Sequence, residues 1–285
     1  MSGNILGIDL GGTNARAALV RDQRLGEVSS VRIDPQGSVE DVLDHLFELI
    51  DRTTSGDVDG IGIGVPSVVD VERGIVYDVV NIPSWKEVHL KSVLEDRYRV
   101  PVLVNNDANC FALGEKHFGT GVGHRSLIGL IIGTGFAGGI ILDGRLYPGR
   151  NCGAGEFGLI PYLDSIYEHY CSGQFFPRRI GGTGAELFRR AEAGDTEAVE
   201  VFAEFGQHLG QGIKAVLYAY DPELIVLGGS VRKAFRFFED AMWNAIRTFE
   251  FPNSIRSLTI AVSELEHVAI LGAAALHYDP GSAAG

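Results

Sequence analysis

Asp9-Leu10-Gly11-Gly12-Thr13 lies between two apolar, β-prone runs, Asn4–Leu10 and Ala15–Val20, with no helix cap separating them. A phosphate loop or a dinucleotide fingerprint leads from a strand through glycines into a helix. Here the order is strand, glycine turn, strand. A tight turn of that kind aims backbone N–H groups at an anion, and Asp9 offers a carboxylate to a metal ion beside it. An ordinary hairpin turn is the alternative reading of the same residues. The grammar returns further along the chain: Leu127–Ile132 is apolar, Gly133-Thr134-Gly135-Phe136-Ala137-Gly138-Gly139 turns, and Ile140–Leu142 resumes a strand. Two such hairpins indicate a duplicated domain, each half presenting a phosphate-facing turn to a shared cleft.

The elements that must hold these turns alternate between strand and helix patterns. Ser38-Val39-Glu40-Asp41 has the form of a capping box, and Val39, Val42, Leu43, Leu46, Phe47 and Ile50 follow helical spacing. Ile61–Val65 reads as a buried strand ended by Pro66, Leu90–Tyr98 as a helix, Pro101–Val104 as a strand and Ala108–Phe118 as a helix. The later chain is helix-rich, with Thr196–Tyr220 amphipathic, a strand at Leu224–Leu227 broken by Gly228-Gly229-Ser230, and a helix over Arg232–Phe249. Phe235, Phe238, Met242 and Ile246 form a stripe on that helix and read as core. Leu258–Val262 is a last strand and Val268–Leu276 a small-residue helix. Interleaved strands and helices imply an α/β fold.

Composition excludes several classes. The 285 residues hold 45% apolar side chains, a globular proportion, with Pro280–Gly285 alone resembling a disordered end. Lys and Arg number 24 against 37 Asp and Glu, a net charge of −13. That opposes nucleic acid and anionic membrane as partners. Cys110, Cys152 and Cys171 are odd in number and widely spaced, which suits a reducing cytosol. The glycine motif starts too early to leave room for a signal peptide. No apolar run approaches the roughly 20 residues of a membrane helix, so the expected location is the cytoplasm.

Six segments occur in a fixed order: Asp9-Leu10-Gly11-Gly12-Thr13-Asn14-Ala15-Arg16, Asn105-Asn106-Asp107-Ala108-Asn109 with Gly114-Glu115, Gly133-Thr134-Gly135, Gly155-Glu156-Phe157-Gly158, Leu227-Gly228-Gly229 and Leu271-Gly272-Ala273-Ala274. In this combination the chain resembles the ROK family of sugar kinases and sugar-responsive repressors over residues 5–276. The resemblance implies two ribonuclease-H-like (actin-like ATPase) domains around a central cleft. The N-terminal domain would comprise residues 1–108 plus 268–285, with the final helix packing back, and the C-terminal domain residues 109–267. It also implies ATP and Mg²⁺, a hexose or hexosamine substrate phosphorylated at the 6-hydroxyl, and a homodimer or homotetramer. ROK repressors carry a DNA-binding segment before the first phosphate motif; eight residues precede Asp9 here, so the repressor reading is not expected.

Asp107 ends a strand and opens a helix. It can cap that helix, or face a ligand at a strand's carboxyl end. The resemblance makes it the general base that deprotonates the sugar hydroxyl. It matches Glu156, Glu168 and Asn81 to the family's sugar contacts; Asn106 can donate to and accept from a sugar hydroxyl, and Ser67 stands where a glycine usually lines the pocket and could add a contact. Without the resemblance, Asn106 is an Asx turn, Glu156 a loop charge and Ser67 a turn cap. For the nucleotide it places Gly11, Gly12 and Thr13 at the phosphates, with Asp9 ordering a hydrated Mg²⁺. Gly133, Thr134 and Gly135 hold the other side, and Gly228 and Gly229 run close to adenosine.

Two positions depart from the family. Leu159 stands where most members have a histidine that binds zinc and sugar, and no Cys-x-Cys-x4-Cys loop lies between Gly158 and Glu168. Cys171 and His169 cannot supply the four ligands of a closed zinc site, so no zinc is expected. The missing histidine leaves a pocket of altered selectivity. A non-catalytic sugar or nucleotide sensor is therefore the competing reading, and an actin-like assembly ATPase a third. Asp9, both glycine hairpins and Asp107 favour turnover.

Overall fold

Burial along Asn4–Leu10 (β1) and Asn14–Arg21 (β2) accounts for how the first glycine turn is held. In the computed structural model, which describes residues 3–54 and 58–279, both strands are largely buried. The Pro280–Gly285 tail lies outside the described residues. β1 and β2 pair antiparallel from Asn4↔Arg21 to Leu10↔Ala15. The short strands Arg24–Leu25 (β3) and Ser29–Arg32 (β4) both add to β2. Helix Val39–Thr53 (α1) begins at Ser38, whose side chain accepts from the Asp41 N–H while Asp41 answers to the Ser38 backbone. That is the capping box read from sequence.

Gly60–Val65 (β5) lies parallel to β1, and Val102–Asn106 (β9) lies parallel to β5. Between them come a small sheet of Val68–Asp70 (β6), Ile75–Tyr77 (β7) and Glu87–Val88 (β8), and helix Leu90–Tyr98 (α2). Helix Asp107–Phe118 (α3) follows β9 directly. The first sheet therefore runs β3-β2-β1-β5-β9.

The second sheet repeats the plan. Leu127–Ile132 (β10) and Phe136–Leu142 (β11) neighbour one another, with Arg145–Leu146 (β12) beyond β11. Pro161–Tyr162 (β13) and Ser165–Ile166 (β14) form a separate hairpin. Helices Tyr167–Cys171 (α4), Phe175–Ile180 (α5), Gly184–Glu192 (α6) and Thr196–Tyr220 (α7) come next. Leu224–Gly228 (β15) then lies parallel to β10. Helices Phe235–Ile246 (α8) and Pro252–Ser257 (α9) lead to Thr259–Val262 (β16), parallel to β15. Val268–Ala275 (α10) ends the regular structure. The order is β12-β11-β10-β15-β16, the same hairpin-then-parallel plan as the first sheet.

By compactness the chain forms two units. One takes the described residues up to 125 with 139–154 and 264–279; the other takes 126–138 and 155–263. In the first, α10 lies against the sheet and α3 at backbone distance. A Cβ on Gly62 would stand 1.8 Å from the Ala273 carbonyl oxygen, and one on Gly272 would stand 1.6 Å from that of Cys110. Among the described residues no helix is long and apolar enough to cross a membrane.

Two elements depart from the sequence reading. The second glycine run was expected to turn through Gly139, yet β11 starts at Phe136. Gly138 and Gly139 are strand residues, and a Cβ on Gly139 would meet the Ala108 carbonyl at 2.3 Å. Those glycines serve close approach rather than a turn. The helix expected over Arg232–Phe249 is a 3-10 turn at Val231–Ala234 followed by α8. Arg232 bends back there, donating to the Gly229 carbonyl at 2.8 Å and the Ser263 carbonyl at 2.9 Å. Of the stripe read as core, Phe238, Met242 and Ile246 are fully buried and Phe235 is half-buried.

Candidate active site

In each mixed sheet several candidate residues lie at the carboxyl ends of the parallel strands, where α/β proteins bind ligands. In the first unit the register sets Asp9 beside Gly64 and Gly64 beside Asn105, in one row across β1, β5 and β9. Ser67 follows β5, and Asn106 and Asp107 follow Asn105. Asp9 also faces Arg16 across the hairpin. Its carboxyl lies above the ordinary range because burial outweighs the charges of Arg16 and His267.

Helix α3 starts on two side chains. Asn106 Oδ1 accepts the Ala108 N–H at 2.9 Å and Asp107 Oδ1 accepts it at 2.8 Å. Asn106 is the formal N-cap, so the capping role considered for Asp107 is shared. Half-buried Asp107 is held with its carboxylate at the sheet edge. Below it, Asn105 Oδ1 accepts from the Asn106 N–H at 2.8 Å, from Asn109 Nδ2 at 2.9 Å and from Cys152 Sγ at 3.2 Å. This buried network fixes the strand-to-helix joint. Burial pushes the Cys152 thiol up to about 11, which keeps it protonated as a donor.

Asn106 Nδ2 reaches the Ser67 carbonyl at 3.2 Å, and the Ser67 hydroxyl donates to the Tyr77 carbonyl. That hydroxyl's proton is spent on the fold. Asn81 lies over the first glycine turn: a Cβ on Gly12 would stand 2.4 Å from the Asn81 Cβ. Trp85, four residues on, is fully buried and anchors the loop. The Gly11 N–H closes the turn on the Asn14 carbonyl at 2.9 Å, and Thr13 is exposed at its tip. Two residues of the quoted motifs prove structural. A Cβ on Gly114 would meet the Val268 carbonyl at 2.3 Å, and buried Glu115 accepts the Thr120 N–H at 3.0 Å.

In the second unit, Gly133, Thr134 and Gly135 follow β10, and Gly228 ends β15 beside it with Gly229 next in chain. Gly229 has φ +82°, and a Cβ there would stand 2.2 Å from the Ile132 carbonyl. Glu168 joins the turn: its Oε2 accepts the Phe136 N–H at 3.3 Å and its Oε1 accepts from Gln174 at 2.9 Å. Glu156 precedes a 3-10 turn at Phe157–Leu159. Its carboxyl is raised by burial and then by the negative charge of Glu168, so the two carboxylates share one neighbourhood. Leu159 is 61% exposed.

Aromatic packing holds the short helix that bears Glu168. Tyr162 stacks on Tyr167 with centroids 4.3 Å apart, meets Tyr170 edge-on at 5.2 Å, and bonds His208 Nδ1 at 3.0 Å. His169 instead pairs with Ser165 and Arg178. Cys171 Sγ donates to the His208 carbonyl at 3.3 Å. Among the described residues no three His, Cys, Asp or Glu side chains converge to hold a metal. These residues do not fit a zinc ion.

A cavity of about 470 Å³ opens in the same unit, lined by Phe176, Phe188, Arg189, Phe202, Val231 and Lys233 among others. Gly173 connects it to the turn, donating its N–H to the Gly133 carbonyl at 2.7 Å. Flat apolar walls with two cations at hand suit a planar base carrying anionic groups. Sequence reading missed this cavity, since its walls come from α5, α6, α7 and the Ser230–Ala234 turn. It missed Gln174 too, six residues after Glu168.

A family model described as the ROK family matches residues 5–279. A glucokinase of Thermotoga maritima is 29% identical over 308 residues, covering 95% of this chain and 96% of the relative. A xylose repressor of Caldicellulosiruptor bescii is 27% identical, covering 94% of this chain and 76% of the repressor. A solved structure of a ROK family glucokinase from Streptomyces griseus, in complex with glucose and AMPPNP, has a TM-score of 0.81 at 29% identity, covering 96% of this chain and 99% of that one. The fold is that of the actin-like ATPases.

Proposed function

The chain belongs to the ROK family, and from that premise we propose that it transfers the γ-phosphoryl group of ATP to a hexose or hexosamine, at the 6-hydroxyl. The supporting observation is the row of Asp9, Gly64 and Asn105 at the strand ends, with Asn106 and Asp107 next in chain on a fixed joint. Asp107 takes the hydroxyl proton as the sugar oxygen bonds to the γ-phosphorus. The bond from that phosphorus to the β,γ-bridging oxygen breaks, and ADP departs. Such a transfer asks for positioning and charge stabilisation more than covalent help.

In this reading Asn81, Ser67, Asn106, Glu156 and Glu168 bind and orient the sugar. Gly11, Gly12 and Thr13, and Gly133, Thr134 and Gly135, lay their two turns against the phosphates. Gly228, Gly229 and the neighbouring cavity take the nucleoside. Asp9, whose ionised form a nearby cation favours, would order a hydrated Mg²⁺ that offsets phosphate charge.

Asp107→Asn should cut kcat by about 100-fold or more and leave sugar affinity within about twofold. A near-native rate would remove Asp107 from the role. A sensor that binds without turnover is the second reading, favoured by exposed Leu159 and by a Glu168 carboxylate already engaged with the protein. ADP release measured across glucose, N-acetylglucosamine, N-acetylmannosamine, fructose and allose separates the two. Sugar-dependent release supports the kinase, and tight binding with no release supports the sensor.

A further inference from the structure

Glu168 and the Gly133-Thr134-Gly135 turn are bridged by one side chain. Gln174 Nε2 donates to Glu168 Oε1 at 2.9 Å and to the Thr134 carbonyl at 3.2 Å, one amide hydrogen for each acceptor. The same carbonyl accepts the Ser172 hydroxyl at 3.1 Å. Glu168 Oε2 rests against the turn, where a Cβ on Gly135 would stand 2.8 Å away, and its bond to the Phe136 N–H is long at 3.3 Å. The Tyr162, Tyr167 and Tyr170 rings pin the backbone of α4. The backbone that carries Glu168 is thereby fixed.

We propose that Gln174 is a positioning residue that couples sugar at Glu168 to nucleotide binding at the 133–135 turn. The inference rests on the kinase reading above. With no sugar bound, the Glu168 charge lies against the turn and repels phosphate. A sugar hydroxyl donating to Glu168 disperses that charge and competes with Gln174. The amide is then free to tighten on Thr134 and hold the turn for the phosphates, so nucleotide binds better after sugar.

The test is calorimetric titration of the full chain with AMPPNP and magnesium, with and without saturating glucose, or N-acetylglucosamine if that sugar drives ADP release. Wild type should bind AMPPNP about fivefold or more tightly with sugar present. Gln174→Leu should bring that ratio below about twofold and raise the KM for ATP more than it lowers kcat. Gln174→Glu, with a like charge opposite Glu168, should weaken AMPPNP in the absence of sugar. Sugar phosphorylation by wild type with no sugar effect on AMPPNP, or a ratio unchanged in Gln174→Leu, overturns the coupling and leaves the kinase reading intact. A wild type that neither releases ADP with any sugar nor binds AMPPNP overturns both.

Discussion

Asp107 and Glu156 are both half-buried carboxylates, but the structure treats them differently. Asp107 accepts the Ala108 N–H at the start of α3, which holds its carboxylate in place. Glu156 is desolvated and faces Glu168, so its folded form holds a proton more tightly than the unfolded chain does. The sign follows from linkage: a raised carboxyl value costs stability once pH climbs past the unfolded value of 4.5, and the cost is complete above the folded one. Glu156→Gln removes that cost. Its Tm relative to wild type should therefore rise between pH 4 and pH 7 in the ligand-free protein. A Tm difference that stays flat across that range would show that the Glu156 carboxyl does not titrate as its surroundings dictate. The position of Asn106 and Asp107 between a strand and a helix was legible because polar residues at a strand end followed by a helix start are a local pattern, and Asp9 was placed by the strand–turn–strand order. The Asn105 and Cys152 partnership was not, since it joins residues 47 apart in sequence.

At the scale of elements, local rules gave good boundaries wherever side-chain period and caps agreed. Leu90–Tyr98 and Thr196–Tyr220 are helices over the span read from sequence. Glycine misled where its role was steric. Gly138 and Gly139 looked like a turn but make room, Gly138 for the Phe157 and Leu130 side chains and Gly139 for the Ala108 carbonyl. The same close approach joins α3 and α10. A methyl on Gly272 would fall 1.6 Å from the Cys110 carbonyl and 2.8 Å from the Gly114 nitrogen, with backbone on both sides. Gly272→Ala should cost about 3 kcal/mol in urea unfolding, at the upper end for overpacked sites. Because α3 begins at Asp107, turnover should fall with it. A variant of wild-type stability would mean that the two helices part without loss.

For the molecule as a whole, any ligand that binds only the folded chain raises its stability by mass action. A sugar at about 100 times its dissociation constant adds about 2.7 kcal/mol, enough to move Tm by several degrees in a chain of this length. Thermal shift across the five sugars should single out one or two. A panel with no shift would argue against a hexose or hexosamine ligand. The two sheets, β3-β2-β1-β5-β9 and β12-β11-β10-β15-β16, share one strand plan. That agreement carries the duplication inferred from the paired glycine hairpins up to the level of architecture.

The order of strands and helices, the two glycine turns, the capping box at Ser38 and the family membership were all determined by the sequence itself. Each depends on period, backbone sterics or a run of adjacent residues, which act over a few positions. Tertiary structure alone decided that Gln174 bridges Glu168 and Thr134, that Phe176, Phe188, Phe202 and Val231 wall one cavity, and that Asn81 covers Gly12. Those contacts form only when the packed chain brings distant segments within hydrogen-bond or van der Waals reach, a condition no local pattern encodes.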